Sequence, residues 1–105
     1  MPYGLSDQTL ASLQQLFSQH QEIDEVILYG SRAKGDFHEG SDIDLSLKGT
    51  KVDFSCIQKL SIEIDDLLLP YLFDLSIYRN ISNRKLIDHI QRKGITIYKK
   101  QQIND

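Results

Sequence analysis

Apolar residues near the start of the chain recur at helical spacing. Leu10, Leu13, Leu16 and Phe17 follow Ser6, a residue suited to an N-cap, and Asp7, whose charge suits a first helical turn. This pattern predicts a first helix. Val26, Ile27 and Leu28 then form an unbroken apolar run within Glu25 to Tyr29. The run is too short for a helix and is stopped by Gly30, as expected of a largely buried strand. Residues 31–40 are polar, carry Gly35 and Gly40 and lack apolar periodicity, so a loop with room for a short helical turn is predicted.

The cleanest alternation follows. Ile43, Leu45 and Leu47 interleave with Asp42, Asp44, Ser46 and Lys48 up to Gly49, a strand with one apolar and one polar face. Asp53 is placed to cap a helix whose stripe is Ile57, Leu60, Ile64, Leu67 and Leu68, with Pro70 preventing continuation. Tyr71, Phe73, Leu75 and Ile77 then alternate with Leu72, Asp74, Ser76 and Tyr78 as a third strand. Asn83 caps a short helix through Leu86, Ile87 and Ile90 to Arg92, Gly94 ends it, and Ile95 to Tyr98 is a last short strand before a polar tail.

This order predicts an α+β fold, a mixed α/β sandwich in which a small sheet is flanked by helices. At 105 residues the whole chain, 1–105, is expected to be a single domain. Strands this short leave their order in the sheet open.

Composition narrows the function. Forty per cent hydrophobic and 26% charged residues exclude disordered, collagen-like and membrane-spanning classes and predict a soluble protein. A net charge of −3 and a pI near 5.5 offer no general attraction to nucleic acid, and basic residues gather only in short pairs such as Lys99 and Lys100. The single cysteine, Cys56, excludes an intramolecular disulfide, and no signal-peptide pattern opens the chain, so a cytoplasmic setting is expected. Cys56 reads as a small core or boundary residue. His20, His38 and His89 are dispersed without metal-ligand spacing, and Tyr29, Tyr71 and Phe73 read as sheet-packing residues.

The chemistry lies in the carboxylates and the turn before them. Asp42 and Asp44, at i and i+2 on a strand, share one face roughly 6 to 7 Å apart. The text Asp44-Leu45-Ser46-Leu47 is echoed by Asp74-Leu75-Ser76-Ile77. If the two strands pair with their apolar faces on one core, Asp74 joins the first two. Three carboxylates on one surface repel unless a cation compensates them, and magnesium favours such a set completed by water and substrate phosphates. Taken alone, Asp-x-Asp is a common pattern that more often marks a solvated sheet face.

Upstream, Leu28-Tyr29-Gly30-Ser31 sets a glycine and a small hydroxyl where a buried strand ends, a geometry whose backbone N–H groups can receive phosphate oxygens. Arg32 and Lys34 follow, a fork and a point charge suited to neutralising a triphosphate. An ordinary surface turn is the alternative.

The string Gly30-Ser31-Arg32-Ala33-Lys34-Gly35-Asp36, followed by Ser41-Asp42-Ile43-Asp44-Leu45, resembles the signature of the minimal nucleotidyltransferases of the DNA polymerase β superfamily. In that pattern Gly-Ser, ten residues and Asp-x-Asp succeed one another, and residues 32–41 supply the ten. The segment Leu86-Ile87-Asp88-His89-Ile90 through Gly94 and Ile97-Tyr98 is similar to the family's C-terminal segment.

The resemblance implies a polymerase-β-like fold and Mg²⁺- or Mn²⁺-dependent nucleotidyl transfer from ATP with release of pyrophosphate. It implies catalytic and metal roles for Asp42, Asp44 and Asp74, and phosphate-gripping roles for Gly30 and Ser31. Lys34 stands where the family often has arginine, keeping the charge but not the bidentate geometry. A chain this short implies a separate helical partner subunit, as in HEPN/MNT toxin–antitoxin pairs. The expectation is an antitoxin that moves AMP onto a hydroxyl, a tyrosine of a cognate HEPN toxin. A non-catalytic antitoxin that masks its partner, and the catalytic subunit of a two-component aminoglycoside-type transferase, are the alternatives.

Overall fold

A computed structural model describes residues 2–38 and 40–101. Helix α1 (Asp7–Ser18) leads to strand β1 (Glu25–Tyr29), a single helical turn α2 (Ser31–Lys34) and strand β2 (Ile43–Lys48). Helix α3 (Phe54–Asp66), strand β3 (Phe73–Ile77), helix α4 (Arg84–Lys93) and strand β4 (Ile95–Lys99) follow. Of the polar tail expected after Tyr98, Lys99 extends β4, and residues 102–105 lie outside the described residues.

The three expected caps form. Ser6 Oγ accepts from the Thr9 N–H at 3.1 Å, Asp53 Oδ1 from Cys56 at 2.9 Å and Asn83 Oδ1 from Leu86 at 3.1 Å. Each satisfies a first-turn donor that the helix itself cannot.

The strands lie in the order β3-β2-β1-β4, with β1 antiparallel to both β2 and β4 and β2 parallel to β3. Helix α3 provides the crossover that two parallel neighbours require. Val26 and Leu28 of β1 pair with Leu47 and Leu45 of β2, turning these side chains onto one face. There they meet Leu13, Leu16 and Phe17 of α1 and Leu60 and Ile64 of α3 in the main core.

The other face is covered only in part. Ile27 and Tyr29 pack under Ile90 of α4, with Leu86, Tyr78 and Ile81 beside them. The unbroken apolar run of β1 thus has helices on both faces. Among the described residues no helix is long and apolar enough to cross a membrane.

Two boundaries differ from expectation. Helix α3 stops at Asp66, because Leu68 adopts a left-handed conformation (φ 54°) and turns out to solvent, 88% exposed; Leu67 still packs against the core, and only Leu68 leaves the stripe. Gly94 ends α4 without the left-handed conformation usual after a helix: its φ is −63° and ψ 149°. Glycine is needed there for space, since a Cβ would overlap the Ile90 carbonyl oxygen and come within 2.7 Å of Ile27 Cγ2.

Candidate active site

The parallel register of β2 on β3 pairs Asp44 with Asp74 and Ser46 with Ser76. Neighbouring strands run about 4.8 Å apart, so the repeated Asp-Leu-Ser text becomes two aligned columns, the aspartates toward solvent and the serines deeper, Ser76 half-buried and Ser46 fully buried. Asp42, two residues before Asp44, stands exposed at the lip, Asp74 is also exposed, and Asp44 is half-buried between them.

Burial raises the Asp44 pKa, and the charges of Asp74 and then Asp42 add to the rise, with His89 partly offsetting them. Tyr29 lies against the same field. Burial raises its pKa and the Asp44 and Asp74 charges raise it further, while its contact with Ser76 at 3.4 Å works the other way. The three carboxylates do not gather within 4.8 Å of one another, as expected of like charges.

Gly30 touches this acidic group directly. Its φ of 79° is left-handed, and a Cβ there would overlap Asp44 Oδ2. Only glycine lets the end of β1 turn into α2 while pressed against that carboxylate. The Gly30 N–H, however, is not open to a phosphate: it donates to His89 Nε2 at 2.8 Å, which requires that ring nitrogen to be unprotonated. The N–H groups left without an intrahelical acceptor at the start of α2 are those of the following residues, from Ser31 on.

Arg32 does something other than its position in the sequence suggests. Its side chain is not an open charge beside the turn but is buried, 2% exposed, between the rings of Phe37 and Tyr71 at 5.2 and 5.0 Å. Nε and Nη2 donate to the Ser41 carbonyl at 3.1 and 2.9 Å, and Nη1 donates to the Tyr3 carbonyl at 2.8 Å. The guanidinium thereby ties the N-terminal segment to the peptide just before Asp42. Lys34 remains at the surface, 3.7 Å from Asp36 Oδ2, a pairing that solvent makes weak.

Arg32→Ala is expected to lower unfolding free energy in urea by about 3 kcal/mol, because two part-buried carbonyls lose a charged donor and the buried space between two rings is emptied. Arg32→Lys should recover little, since a point charge cannot span both carbonyls. A loss under about 1 kcal/mol would show that the clamp is dispensable.

Residues 11–103 match the family described as polymerase beta, nucleotidyltransferase. The chain belongs to the polymerase beta nucleotidyltransferase family. A protein of Methanocaldococcus jannaschii, provisionally named a protein adenylyltransferase, is 29% identical over 84 residues, covering 72% of this chain and 80% of the relative.

Among solved structures, a toxin–antitoxin crystallised with AMP-PNP superposes with a TM-score of 0.69 at 21% identity. The match covers 92% of this chain and 76% of that one. A chain from the complex of tri-AMPylated Shewanella oneidensis HEPN toxin with MNT antitoxin matches with a TM-score of 0.63 at 16% identity, over 87% and 70% of the two chains. The polymerase-beta-like nucleotidyltransferase therefore has the expected fold, shared with the minimal nucleotidyltransferases of toxin–antitoxin systems.

One residue of this nucleotidyltransferase's polar face escapes a reading of the sequence. His89 holds Gly30 and meets Tyr29 edge-on at 6.2 Å, although no spacing marks it as a ligand. Its only signal is position: three residues after Leu86, it lies on the flank of the apolar stripe of α4. Tyr29 is buried in the sheet, and Tyr71 and Phe73 pack partly buried against the core, as expected. Cys56 is buried, and desolvation together with the charges of Glu22, Asp53 and Glu63 pushes its thiol up to about 11, the opposite of a reactive cysteine.

Proposed function

We propose that this chain is a metal-dependent adenylyltransferase that moves AMP from ATP onto a tyrosine hydroxyl of a separate HEPN-type toxin, and so acts as its antitoxin. The reading is supported above all by the β2–β3 register, which sets Asp74 level with Asp44, the carboxylate that abuts the Gly30 turn. The polymerase beta family supplies the reaction class. The HEPN partner is suggested by the solved complexes that share this fold.

The donor set fits Mg²⁺ or Mn²⁺. Aspartate oxygens are hard ligands, and the repulsion from Asp74 and Asp42 that adds to the effect of burial in raising Asp44 is the charge a divalent cation neutralises. Asp42 and Asp44 would hold the ion that accompanies the triphosphate, and Asp74 would share in binding beside the acceptor. Divalent metal bound there neutralises developing negative charge on the transferring phosphoryl group and the leaving pyrophosphate.

The chain's own residues do the rest. Ser31 and the first-turn N–H groups of α2 receive triphosphate oxygens, and Lys34 swings from Asp36 to add positive charge. Arg32 holds the Ser41 peptide so that Asp42 meets the site at a constant height. Asp74, exposed at the sheet edge, accepts the proton of the attacking hydroxyl.

ATP is accordingly expected to bind far more tightly with Mg²⁺ or Mn²⁺ than with EDTA, a difference calorimetry reads directly. Equal affinity in both conditions, or no binding in either, removes the metal–triphosphate assignment. The acceptor is tested by co-expressing the partner and measuring its mass: an added AMP on tyrosine is expected. Full neutralisation of an unmodified partner would mark the chain as a masking subunit.

A further inference from the structure

At the Lys48 end of β2, opposite the aspartates, four side chains from distant parts of the sequence converge. His20 and Glu22 lie in the turn between α1 and β1, while Cys56 and Glu63 project from α3. His20 Nδ1 is 3.0 Å from Glu22 Oε1, Cys56 Sγ is 3.6 Å from the same oxygen, and one donor atom from each of the three lies within 4.8 Å of the others. The second ring nitrogen, His20 Nε2, is shut off from solvent and lies 2.8 Å from Glu63 Oε1, yet is not aligned for a hydrogen bond.

Each ring nitrogen of His20 faces a carboxylate, and the Cys56 thiol donates to Glu22. A neutral imidazole carries one N–H and cannot serve two carboxylates. A second proton on the ring, or a metal ion that takes the place of the thiol proton, compensates both. The donor types decide between them: one nitrogen, one sulfur and one carboxylate oxygen are the ligands of zinc rather than of magnesium. A tetrahedral ion with bonds of about 2.0 to 2.3 Å needs donors roughly 3.3 to 3.8 Å apart; the sulfur–oxygen separation of 3.6 Å lies inside that range and the nitrogen–oxygen separation of 3.0 Å just below it.

Glu63 is placed to act as the carboxylate that commonly orients a metal-bound histidine through its other nitrogen. A small ring rotation completes that bond. A cleft of 190 Å³ lined by Glu22, Asp53, Ser55 and Cys56 gives access, with Lys51 and Lys59 at its walls opposing a cation.

We propose that His20 Nδ1, Glu22 Oε1 and Cys56 Sγ form a binding site for a zinc-class divalent ion, oriented by Glu63 and separate from the nucleotide site. The metal–sulfur bond forms as the Cys56 thiol releases its proton to solvent. Since the ligands join the α1–β1 turn to α3, the ion staples two elements that already meet there through the Cys56–Glu22 and His20–Glu63 contacts. The fourth position is left to water.

Co²⁺ is the probe, titrated into the full chain under metal-free reducing conditions and followed by absorbance. Cys56 is the sole cysteine, so a thiolate-to-cobalt charge-transfer band reports this site alone. The expected result is a band saturating at one ion per chain, accompanied by tetrahedral visible bands and reversed by Zn²⁺. Melting temperature should rise by about 10 °C when Zn²⁺ is a hundredfold above its Kd.

Glu63→Gln is expected to weaken the affinity about 10- to 100-fold. Glu22→Gln should weaken it at least as much, whereas Asp44→Asn leaves the band in place. The site is overturned if no charge-transfer band appears at millimolar Co²⁺. It is equally overturned if Glu22→Gln binds Co²⁺ like the unaltered chain, which would leave an adventitious thiol adduct.

Discussion

Asp44→Asn is expected to lower adenylyl transfer on the order of 10³-fold, equivalent to about 4 kcal/mol of transition-state stabilisation, while leaving the fold intact. Asp44 sits between the other two carboxylates and against Gly30, so neutralising it removes the ligand common to both ends of the site. Asp42→Asn should lose transfer to a similar degree, because in the proposed reaction it would face the same triphosphate-bound ion, but it is exposed and its replacement disturbs no packing. Single-turnover labelling with radioactive ATP gives the rates. Near-normal turnover in either variant would show a solvated sheet face with no part in the chemistry.

The same substitution has a thermal signature of definite sign. In the folded chain the Asp44 pKa is raised above its ordinary value of 3.8, first by burial and then by Asp74 and Asp42. Between that ordinary value and the raised one the folded state holds the extra proton, so stability falls as pH climbs through this window. The penalty is complete above the raised pKa and absent below 3.8.

Without added metal, then, Asp44→Asn should melt higher than the parent at neutral pH and match it in strong acid. Saturating Mg²⁺ should reverse the order at neutral pH, because only the parent has the carboxylate for the ion to stabilise. A variant that melts lower at neutral pH without metal would mean that Asp44 is held by favourable contacts rather than strained by its neighbours.

The aspartates were legible because their placement follows from the strand period alone. Identical Asp-Leu-Ser text on two strands that share a core leaves little freedom in how the polar columns align, and the parallel register carries that through. Caps were legible for a similar reason: Ser6, Asp53 and Asn83 act on N–H groups three residues away. Arg32 was not. A charge next to a glycine turn reads as solvated, and only the docking of Tyr3, Phe37 and Tyr71 around it provides the carbonyls and ring faces that make burial tolerable.

The histidines show the same limit. His89 and Gly30 are 59 positions apart, and His20 meets Cys56 and Glu63 only once α3 has packed beside the α1–β1 turn. Gly94 illustrates a subtler case, in which the helix end was legible but its cause was not. Backbone freedom and the approach of Ile27 predict the same residue, and only the observed φ separates them.

Asp74→Asn separates the two steps of the proposed reaction. Asp74 is the outermost of the three carboxylates, exposed on the edge strand β3, level with Asp44 but farther from the Gly30 turn, which contacts Asp44 itself. That position suits a group that meets the acceptor rather than the triphosphate. As the proton acceptor for the attacking hydroxyl it contributes to transfer and little to ATP binding, and loss of a general base typically lowers the rate about 10²- to 10⁴-fold. The variant is therefore expected to keep most metal-dependent ATP affinity by calorimetry while single-turnover labelling of the partner falls by that factor. Raising the pH should recover part of the lost rate, because more of the acceptor tyrosine ionises without help as its pKa near 10 is approached. Normal labelling would reduce Asp74 to a structural residue on an exposed strand. Loss of ATP binding together with transfer would instead assign it to the shell of the ion on the triphosphate, and the proton would then need another acceptor on this face.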